Sequence, residues 1–447
     1  MTLSAKAQDM TEGVIWRKML TFFFPIFLGS LFQQLYTTAD AVIVGQFIGK
    51  DALASIDAIY NLTKFPLSFF TGLSVAATIL ISQFYGAKDQ KSLDESVHTA
   101  VAFSVAGGLA LSVIGIIIAA PSMRWLNVPD EIVPDTLAYV RVCFGGTVVS
   151  LVYNIAAGIL RAVGDSRTPL LYLIVCNCAN VALDLLFVVV FKWGVTGAAA
   201  ATVVSQFASA ALTIRHLTRV NMPCKLDLRR VRFHMPTLKK ILRIGVPMSL
   251  QNILYPISNM VVQSGINAYG VDSIAAYALS GKLDMIVWVA SAAFSSTSST
   301  FAAQNYGAKA YDRIKRGTRI CLGLTTLVIG AISAVLFIWS KPLGRMIIDD
   351  RIVLDMCADI MRLMAPFYVM YALGEVLSGA LRGKGETFKQ MAITLMGTCG
   401  FRVAWALFVP QGRASLLGLL TSYPASWILT TGALAVLYMV HKGRQQD

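Results

Sequence analysis

The sequence predicts an all-α membrane protein of 12 transmembrane helices, built as two six-helix bundles related by a pseudo-two-fold axis along the membrane normal. Three observations predict it. Only 14% of the 447 residues are charged and 56% are hydrophobic, whereas a soluble domain carries about 25% charged residues. Long apolar runs recur along the whole chain, each able to cross a hydrocarbon core of ~30 Å as a helix of ~20 residues. The stretch QFYGAKD at 83–89 returns almost unchanged as QNYGAKA at 304–310, 221 positions later. The short alternating segments of a membrane β-barrel do not occur.

The elements follow from polar breaks. Residues 1–18 are polar, and the apolar stretch from Leu20 to Val44 exceeds the roughly 7–15 residues of a signal-peptide core. It is therefore read as the first span, with no cleavable signal. Spans are expected near 16–46, 52–84, 93–121, 131–160, 167–191, 195–217, 238–268, 273–305, 312–341, 352–381, 388–410 and 414–440. The second and eighth are long, which implies tilt or extension into water. Of the 38 lysines and arginines, the loops on one side hold only Lys50, Arg124, Lys192, Lys341, Arg345, Arg351 and Arg413. Most others crowd the N-terminus, the even-numbered loops and the C-terminus. Positive charge marks the cytoplasmic face, so both termini are expected there, in a bacterial cytoplasmic membrane. The net charge of +14 is then a topology signal. No nucleic-acid motif accompanies it, and no nucleic-acid partner is expected. The domains expected are residues 1–218 (six helices), a basic cytoplasmic linker at 219–237, and residues 238–447 (six helices). The linker, with LDLRRVRFH, is read as touching anionic lipid headgroups.

Several functions are disfavoured. The seven cysteines are odd in number and sit mostly inside apolar spans, and the four histidines lie near loops and ends. That argues against a disulfide framework, a haem or a histidine metal centre. No nucleophile–base pair, HExxH or phosphate loop is present. The chain is read as a non-enzyme without a cofactor, acting as a monomer.

The repeat extends beyond one motif. At a shift of 221, Gly49 matches Gly270, Ala54 matches Ala275, Arg141 matches Arg362, and GILRAVGD (158–165) matches GALRGKGE (379–386). Pro25 and Pro247 differ by 222. Six helices per copy is an even number, so both copies enter the membrane in the same direction, as in transporters whose two bundles rock about a central site. YGAK and LRxxG fall at helix ends. Their glycines are expected to allow tight exits and their basic residues to anchor at the interface.

Charge inside a membrane span is costly and points to function. Five carboxylates qualify: Asp40, Asp57, Asp184, Asp284 and Glu375. Gln33, Tyr36, Thr37 and Asp40 share one helix face, as do Asn177, Asn180 and Asp184. Asn154 and Thr202 add oxygens if the bundle packs compactly. Such a set suits Na⁺, or a desolvated carboxylate that binds a proton; a satisfied polar network is the structural alternative. At the 221 shift, Asp40, Asn180 and Asp184 become Val261, Phe401 and Trp405. The coupling site is therefore expected in the N-terminal half alone. Asn154 becomes Glu375, which either lines a transport pathway or pairs with Arg402, Arg362 or another buried base. Asp57 and Lys64 on the second span, with Lys282 and Asp284 on the eighth, are candidate gating pairs.

With these residues assembled, the chain resembles the multidrug and toxic compound extrusion (MATE) family over essentially its whole length. The resemblance rests on PIFLGSLFQQLYTTADAVIVGQFIG, QFYGAKD, ILRAVGDSRTPL, NCANVALDLLFV, QNYGAKA and GALRGKG, in that order. It leans toward the bacterial DinF-like or MepA-like branch, because the aspartates lie in the N-terminal half. It implies a V-shaped pair of lobes and export of amphipathic, often cationic compounds by alternating access, driven by entry of H⁺ or Na⁺. Carried over by position, it implies a cation site at Asp40, Asn180, Asp184 and Thr202, with Asn154 and Tyr139 as neighbours. The chain departs from the pattern in SIDAIYNLTK (55–64), which is more polar than expected, and in ETFKQM (386–391), which lacks the proline of DSRTPL. A substrate cavity lined by Gln33, Gln34, Tyr36, Thr37, Met260, Gln263 and Glu375 would suit flat amphiphilic cations, since aromatic rings attract cations. The rival reading is a flippase for a lipid-linked or polysaccharide precursor, with Lys64, Lys282 and Arg402 meeting its anionic headgroup.

Overall fold

The computed structural model describes residues 9–47, 50–219, 222–408 and 415–443, with the backbone alone at 41, 50–62 and 441–443. Among the described residues all regular structure is helical. The first half holds α1 (Ile15–Phe47), α2 (Lys50–Gly86), α3 (Gln90–Trp125), α4 (Val133–Ala162), α5 (Arg167–Asp184) and α6 (Gly194–Arg219). The second half holds α7 (Met235–Asn267), α8 (Val271–Leu283), α9 (Met285–Gly307), α10 (Tyr311–Arg345), α11 (Arg351–Met364), α12 (Tyr368–Gly383), α13 (Thr387–Thr394), α14 (Phe401–Phe408), α15 (Leu416–Leu420) and α16 (Ser422–Gly443). A π-helical turn, Leu185–Val190, follows α5, and a second, Leu395–Gly400, separates α13 from α14.

Nine helical stretches among the described residues are long and apolar enough to cross a membrane, and α8 with α9, bent by 43°, would make a tenth. The expected eighth span is thus broken, at Asp284. The expected tenth span is interrupted too: α11 and α12 are separated by a 3-10 turn, Ala365–Phe367, containing a proline that cannot donate its backbone hydrogen bond. The expected seventh, α7, carries Lys239, Lys240 and Arg243 near its start and falls short in apolarity. Outward apolar stripes fit a lipid environment. On α3, Leu109, Val113 and Ile117 recur every four residues and are exposed, a patch that water would not tolerate on an ordinary monomer. The protein is an integral membrane protein.

The chain folds as two compact units. One holds Leu28–Ser249; the other holds Met10–Phe27 with Leu250–Asp447. The sequence division at 1–218 and 238–447 assigns the start of α1 and the start of α7 the other way. Packing explains the difference. In the second unit Phe22 and Phe23 are buried with Phe294 and Phe301, and the Phe23 and Phe294 rings stack at 4.0 Å. The Met10 amide donates to Gln304 Oε1 at 2.9 Å, and Asn305 Nδ2 donates to the Met10 carbonyl at 3.2 Å. In the first unit Ile241 joins the core of Leu80, Val97 and Ile159, and Ser249 Oγ donates to the Phe69 carbonyl at 2.6 Å. Each crossing comes two or three residues after a proline, Pro25 or Pro247, inside the helix.

The repeated motifs build four matching helix ends. After α2, the Asp89 amide reaches back to the Phe84 carbonyl and the Lys88 amide to Tyr85; after α9, Ala310 and Lys309 repeat this with Asn305 and Tyr306. After α4, Asp165 and Gly164 bond Leu160 and Arg161; after α12, Glu386 and Gly385 bond Leu381 and Arg382. This paired arrangement needs one left-handed residue. In LRxxG the glycines supply it, at φ 90 and 87. In YGAK the expectation is corrected: Lys88 and Lys309, at φ 55 and 56, take that conformation, while Gly86 and Gly307 end the helices. The basic linker is anchored rather than loose. Cys224 and Leu226 enter the core of the first unit, the Asp227 amide donates to His98 Nε2 at 3.2 Å, and the His234 amide donates to Thr99 Oγ1 at 3.2 Å. Arg229, Arg230 and Arg232 stay exposed.

Candidate functional site

In the first unit, α5 and α4 both pack on α6. Helical spacing then puts Asn177, Asn180 and Asp184 on one face of α5. Asn180 and Asp184 are buried, at 1% and 0% exposure. The second half of α1 brings Tyr36 and Asp40. Tyr36 Oη and Thr202 Oγ1 share a hydrogen bond of 3.1 Å, which ties α1 to α6. Asp40 and Asp184 lie close enough to repel one another's charge, and Tyr36 feels both. Tyr139 and Cys143, hydrogen-bonded to each other, feel the Asp40 charge as well. The structure therefore brings together Asp40, Asn180, Asp184, Thr202, Tyr36 and Tyr139.

The cluster is rich in polar atoms without partners. Asp40 Oδ1, both Asp184 oxygens, both polar atoms of Asn180 and Asn177 Nδ2 are buried with no hydrogen-bond partner among the described residues. Left without any partner, each such atom would cost about 1–3 kcal/mol, so these atoms call for a polar partner. Carboxylate, amide and hydroxyl oxygens are the donors a hard cation takes, and a buried carboxylate oxygen is equally a seat for a proton. The residues fit either ion. Asp184 also immediately precedes the π-helical turn, an irregularity frequent at functional sites.

Other expected residues make different contacts. Asn154 Nδ2 donates to the Ser150 carbonyl of its own helix at 2.9 Å. Ser150 Oγ in turn bonds Gln206. Gln33, Gln34 and Thr37 are exposed on the first unit, with Thr37 Oγ1 bonded to the Gln33 carbonyl. Met260, 55% exposed, and Gln263 belong to the second unit. Lys64 and Lys282 are exposed on different units. The Asp57 side chain lies outside the described residues. The Asp284 carboxylate pairs with no lysine among the described residues. It accepts from Tyr368 Oη at 2.8 Å and Trp288 Nε1 at 2.9 Å, holding the bend between α8 and α9.

Glu375 has a partner the sequence reading did not name. Arg382 approaches its Oε2 to 3.8 Å, and Ser295 Oγ donates to the same oxygen at 3.0 Å. Arg382 is seven residues on, two turns along one face, and that spacing was the available signal. Glu375 lines a small recess with Tyr255, Tyr371, Thr398, Trp427 and Thr430. Arg402, 1% exposed, stands behind Tyr255 and Trp427.

The MatE family model matches the chain twice, over residues 25–186 and 247–408. The two matches are equal in length and 222 positions apart, which agrees with the internal repeat. The chain is 27% identical to Probable multidrug resistance protein YoeA of Bacillus subtilis (strain 168), over 95% of this chain and 93% of that one. It is 23% identical to Multidrug export protein MepA of Staphylococcus aureus (strain NCTC 8325 / PS 47), over 92% and 94%. An outward-facing structure of a multidrug resistance MATE family transporter of the MOP superfamily superposes with a TM-score of 0.92 at 20% identity, over 99% of each chain. That likeness shows the fold.

Proposed function

This chain belongs to the MatE family, and from that premise we propose that it is a secondary active exporter of amphipathic organic cations, driven by entry of H⁺ or Na⁺. The observation that carries the reading is the pair of coupled carboxylates, Asp40 and Asp184, whose buried oxygens have no partner among the described residues. In this reading Asp40, Asn180, Asp184 and Thr202 hold the coupling ion, and Tyr36 links it to α1 through Thr202. Ion binding changes the charge of the cluster, and that change biases a rocking motion between two arrangements of the units. Twelve spans in two bundles, cytoplasmic termini and a bacterial cytoplasmic membrane are part of the proposal, supported by the tandem family match and the bias of Lys and Arg. The names of these relatives, multidrug resistance and multidrug export proteins, support the substrate class.

The test is ethidium efflux from proteoliposomes under a pH gradient and a Na⁺ gradient imposed separately, for the wild type and Asp184→Asn. Efflux driven by one gradient and lost in the variant identifies the ion and places coupling in the first unit. Folded wild type that moves ethidium under neither gradient would refute the reading and favour export of a lipid-linked precursor.

A further inference from the structure

The second unit buries a cation that the coupling reading does not use. Arg402 opens α14, two residues after the second π-helical turn. Its Nε donates to Ser426 Oγ at 2.9 Å, and its Nη1 to Asn259 Oδ1 at 3.3 Å. Both acceptors are neutral. Its Nη2 is buried without a hydrogen-bond partner among the described residues. Three rings surround the guanidinium: Tyr423 at 4.1 Å, and Tyr255 and Trp427 each at 5.9 Å. The carboxylates nearby are engaged elsewhere, Glu375 with Arg382 and Ser295, Asp284 with Tyr368 and Trp288. A fixed positive charge in a membrane protein without a paired anion is expensive to keep. Rings offset part of that cost, and they leave the donor at Nη2 unused.

The surroundings show where an oxyanion would approach. Tyr255, Asn259, Gln263 and Asn267 recur every four residues along α7, one row on one face. Gln263 Nε2 donates to Asn267 Oδ1 at 2.9 Å. Asn259, which Arg402 touches, is exposed, so the row leads from the surface of the unit to the guanidinium. Tyr255 and Trp427 are shared between Arg402 and the walls of the recess that holds Glu375. A planar guanidinium flanked by flat aromatic faces is the arrangement that takes carboxylate or phosphate oxygens on an amphiphilic body.

We propose that Arg402 is the centre of an anion-recognition site in the second unit, which takes the carboxylate or phosphate oxygens of an amphiphile whose apolar body lies along Tyr255, Tyr423 and Trp427. This deepens the transport reading on which it rests. The substrates then include zwitterions, whose negative end is read by Arg402, as well as simple cations.

The test uses a matched pair of dyes. Rhodamine 123 is a cationic methyl ester; rhodamine 110 is the corresponding acid, with the same xanthene body and a carboxylate. Binding of each is followed by fluorescence anisotropy on the full chain in phosphatidylcholine nanodiscs. The expected result is that Arg402→Gln lowers the acid-to-ester affinity ratio by at least about tenfold, because the oxyanion loses its donor, while Arg402→Lys, which keeps the charge without the planar fork, restores only part of it. An unchanged ratio in Arg402→Gln, or a wild type that strongly prefers the ester, would overturn the proposal. Should Arg402→Gln fail to fold, displacement of rhodamine 110 from the wild type decides the matter. Dodecyl phosphate must then compete better than dodecyltrimethylammonium, and equal competition overturns the site. Repeating the binding in phosphatidylglycerol nanodiscs separates the sources of the anion. Suppression of rhodamine 110 binding assigns the site to a lipid headgroup, and persistence assigns it to a transported solute. Loss of ethidium efflux under both gradients would remove the transport reading without altering these ratios.

Discussion

Replacing Asp184 by asparagine removes one charge and keeps the shape of the side chain. Both Asp184 oxygens are buried and have no hydrogen-bond partner among the described residues, and Asp40 stands near with like charge. A buried polar group without a partner costs about 1–3 kcal/mol, and more when charged. In Na⁺-free buffer at high pH, where the carboxylate carries its charge and no ion offsets it, the amide keeps part of that cost and loses the charge, so Asp184→Asn should gain about 1–2 kcal/mol. For a unit of roughly 150–250 residues each kcal/mol moves Tm by about 2–4 °C. The expected outcome is thus a Tm higher by about 5 °C, read by tryptophan fluorescence in detergent, together with ethidium efflux reduced to background. Gain of stability with loss of transport is the mark of a residue retained for function. A variant whose Tm falls while efflux persists would refute the reasoning and make Asp184 a packing residue.

Three further outcomes are expected. A Cβ at Gly379 would meet the Ser295 backbone oxygen at 2.3 Å, whereas at its repeat mate Gly158 the nearest atom, at 2.5 Å, is the rotatable Thr78 Oγ1. Gly379→Ala should cost about 1–3 kcal/mol by overpacking, while Gly158→Ala should stay near neutral because alanine returns about 1 kcal/mol of helix propensity; the reverse order in thermal melts contradicts this. Asp284→Ala leaves the Tyr368 hydroxyl and the Trp288 N–H unpaired and should cost about 2–4 kcal/mol; a melt unchanged from the wild type would show that the carboxylate does not hold the bend. Lys384, in the turn after α12, is buried 4.4 Å from the Tyr438 ring. Burial, with Lys315 adding to it and Glu386 opposing, brings its ammonium down to about 8. An unfolded lysine keeps its proton to about 10.4, so between these values the unfolded chain binds more protons and stability rises with pH. Melts of the wild type should therefore climb from pH 8 towards pH 10, and Lys384→Met should abolish the climb; an equal climb in the variant assigns it to other groups.

How much was legible in the sequence depends on the kind of fact. The α5 face of Asn177, Asn180 and Asp184 was legible, because a helix fixes which residues share a side. Tyr36 and Asp40 were legible for the same reason. The bond from Asn154 to the Ser150 carbonyl was not, because an asparagine in a helix chooses between a neighbour and its own backbone, and spacing does not report the choice. The asymmetry of the halves was legible in the replacement of Asp40 and Asp184 by Val261 and Trp405. The partner of Glu375 stays open in the sequence among Arg402, Arg362 and another buried base, since hydropathy flags buried bases without ranking candidates by direction; in the structure it is Arg382. The breaks at Asp284 and at Ala365–Phe367 stayed hidden inside continuous apolar runs, whose composition reports burial and not straightness. Membership of Met10–Phe27 in the second unit lay beyond any local pattern. An apolar helix face fits either bundle, and only the partners it meets decide.

That membership bears on how such a chain arose. If each half had once been a separate protein, a first segment packed as Met10–Phe27 is here would have belonged to the other copy, and the reverse would hold for the stretch ending at Ser249. Two free copies trading a leading helix segment form a domain-swapped dimer. Joining them through a linker turns a concentration-dependent exchange into an intramolecular one. The prolines at 25 and 247 lie just before the points where each segment passes from one unit to the other. A half expressed alone from either gene segment would start with a helix segment lacking its own pocket, and would expose a pocket lacking its helix. Such halves should regain solubility in detergent only when made together.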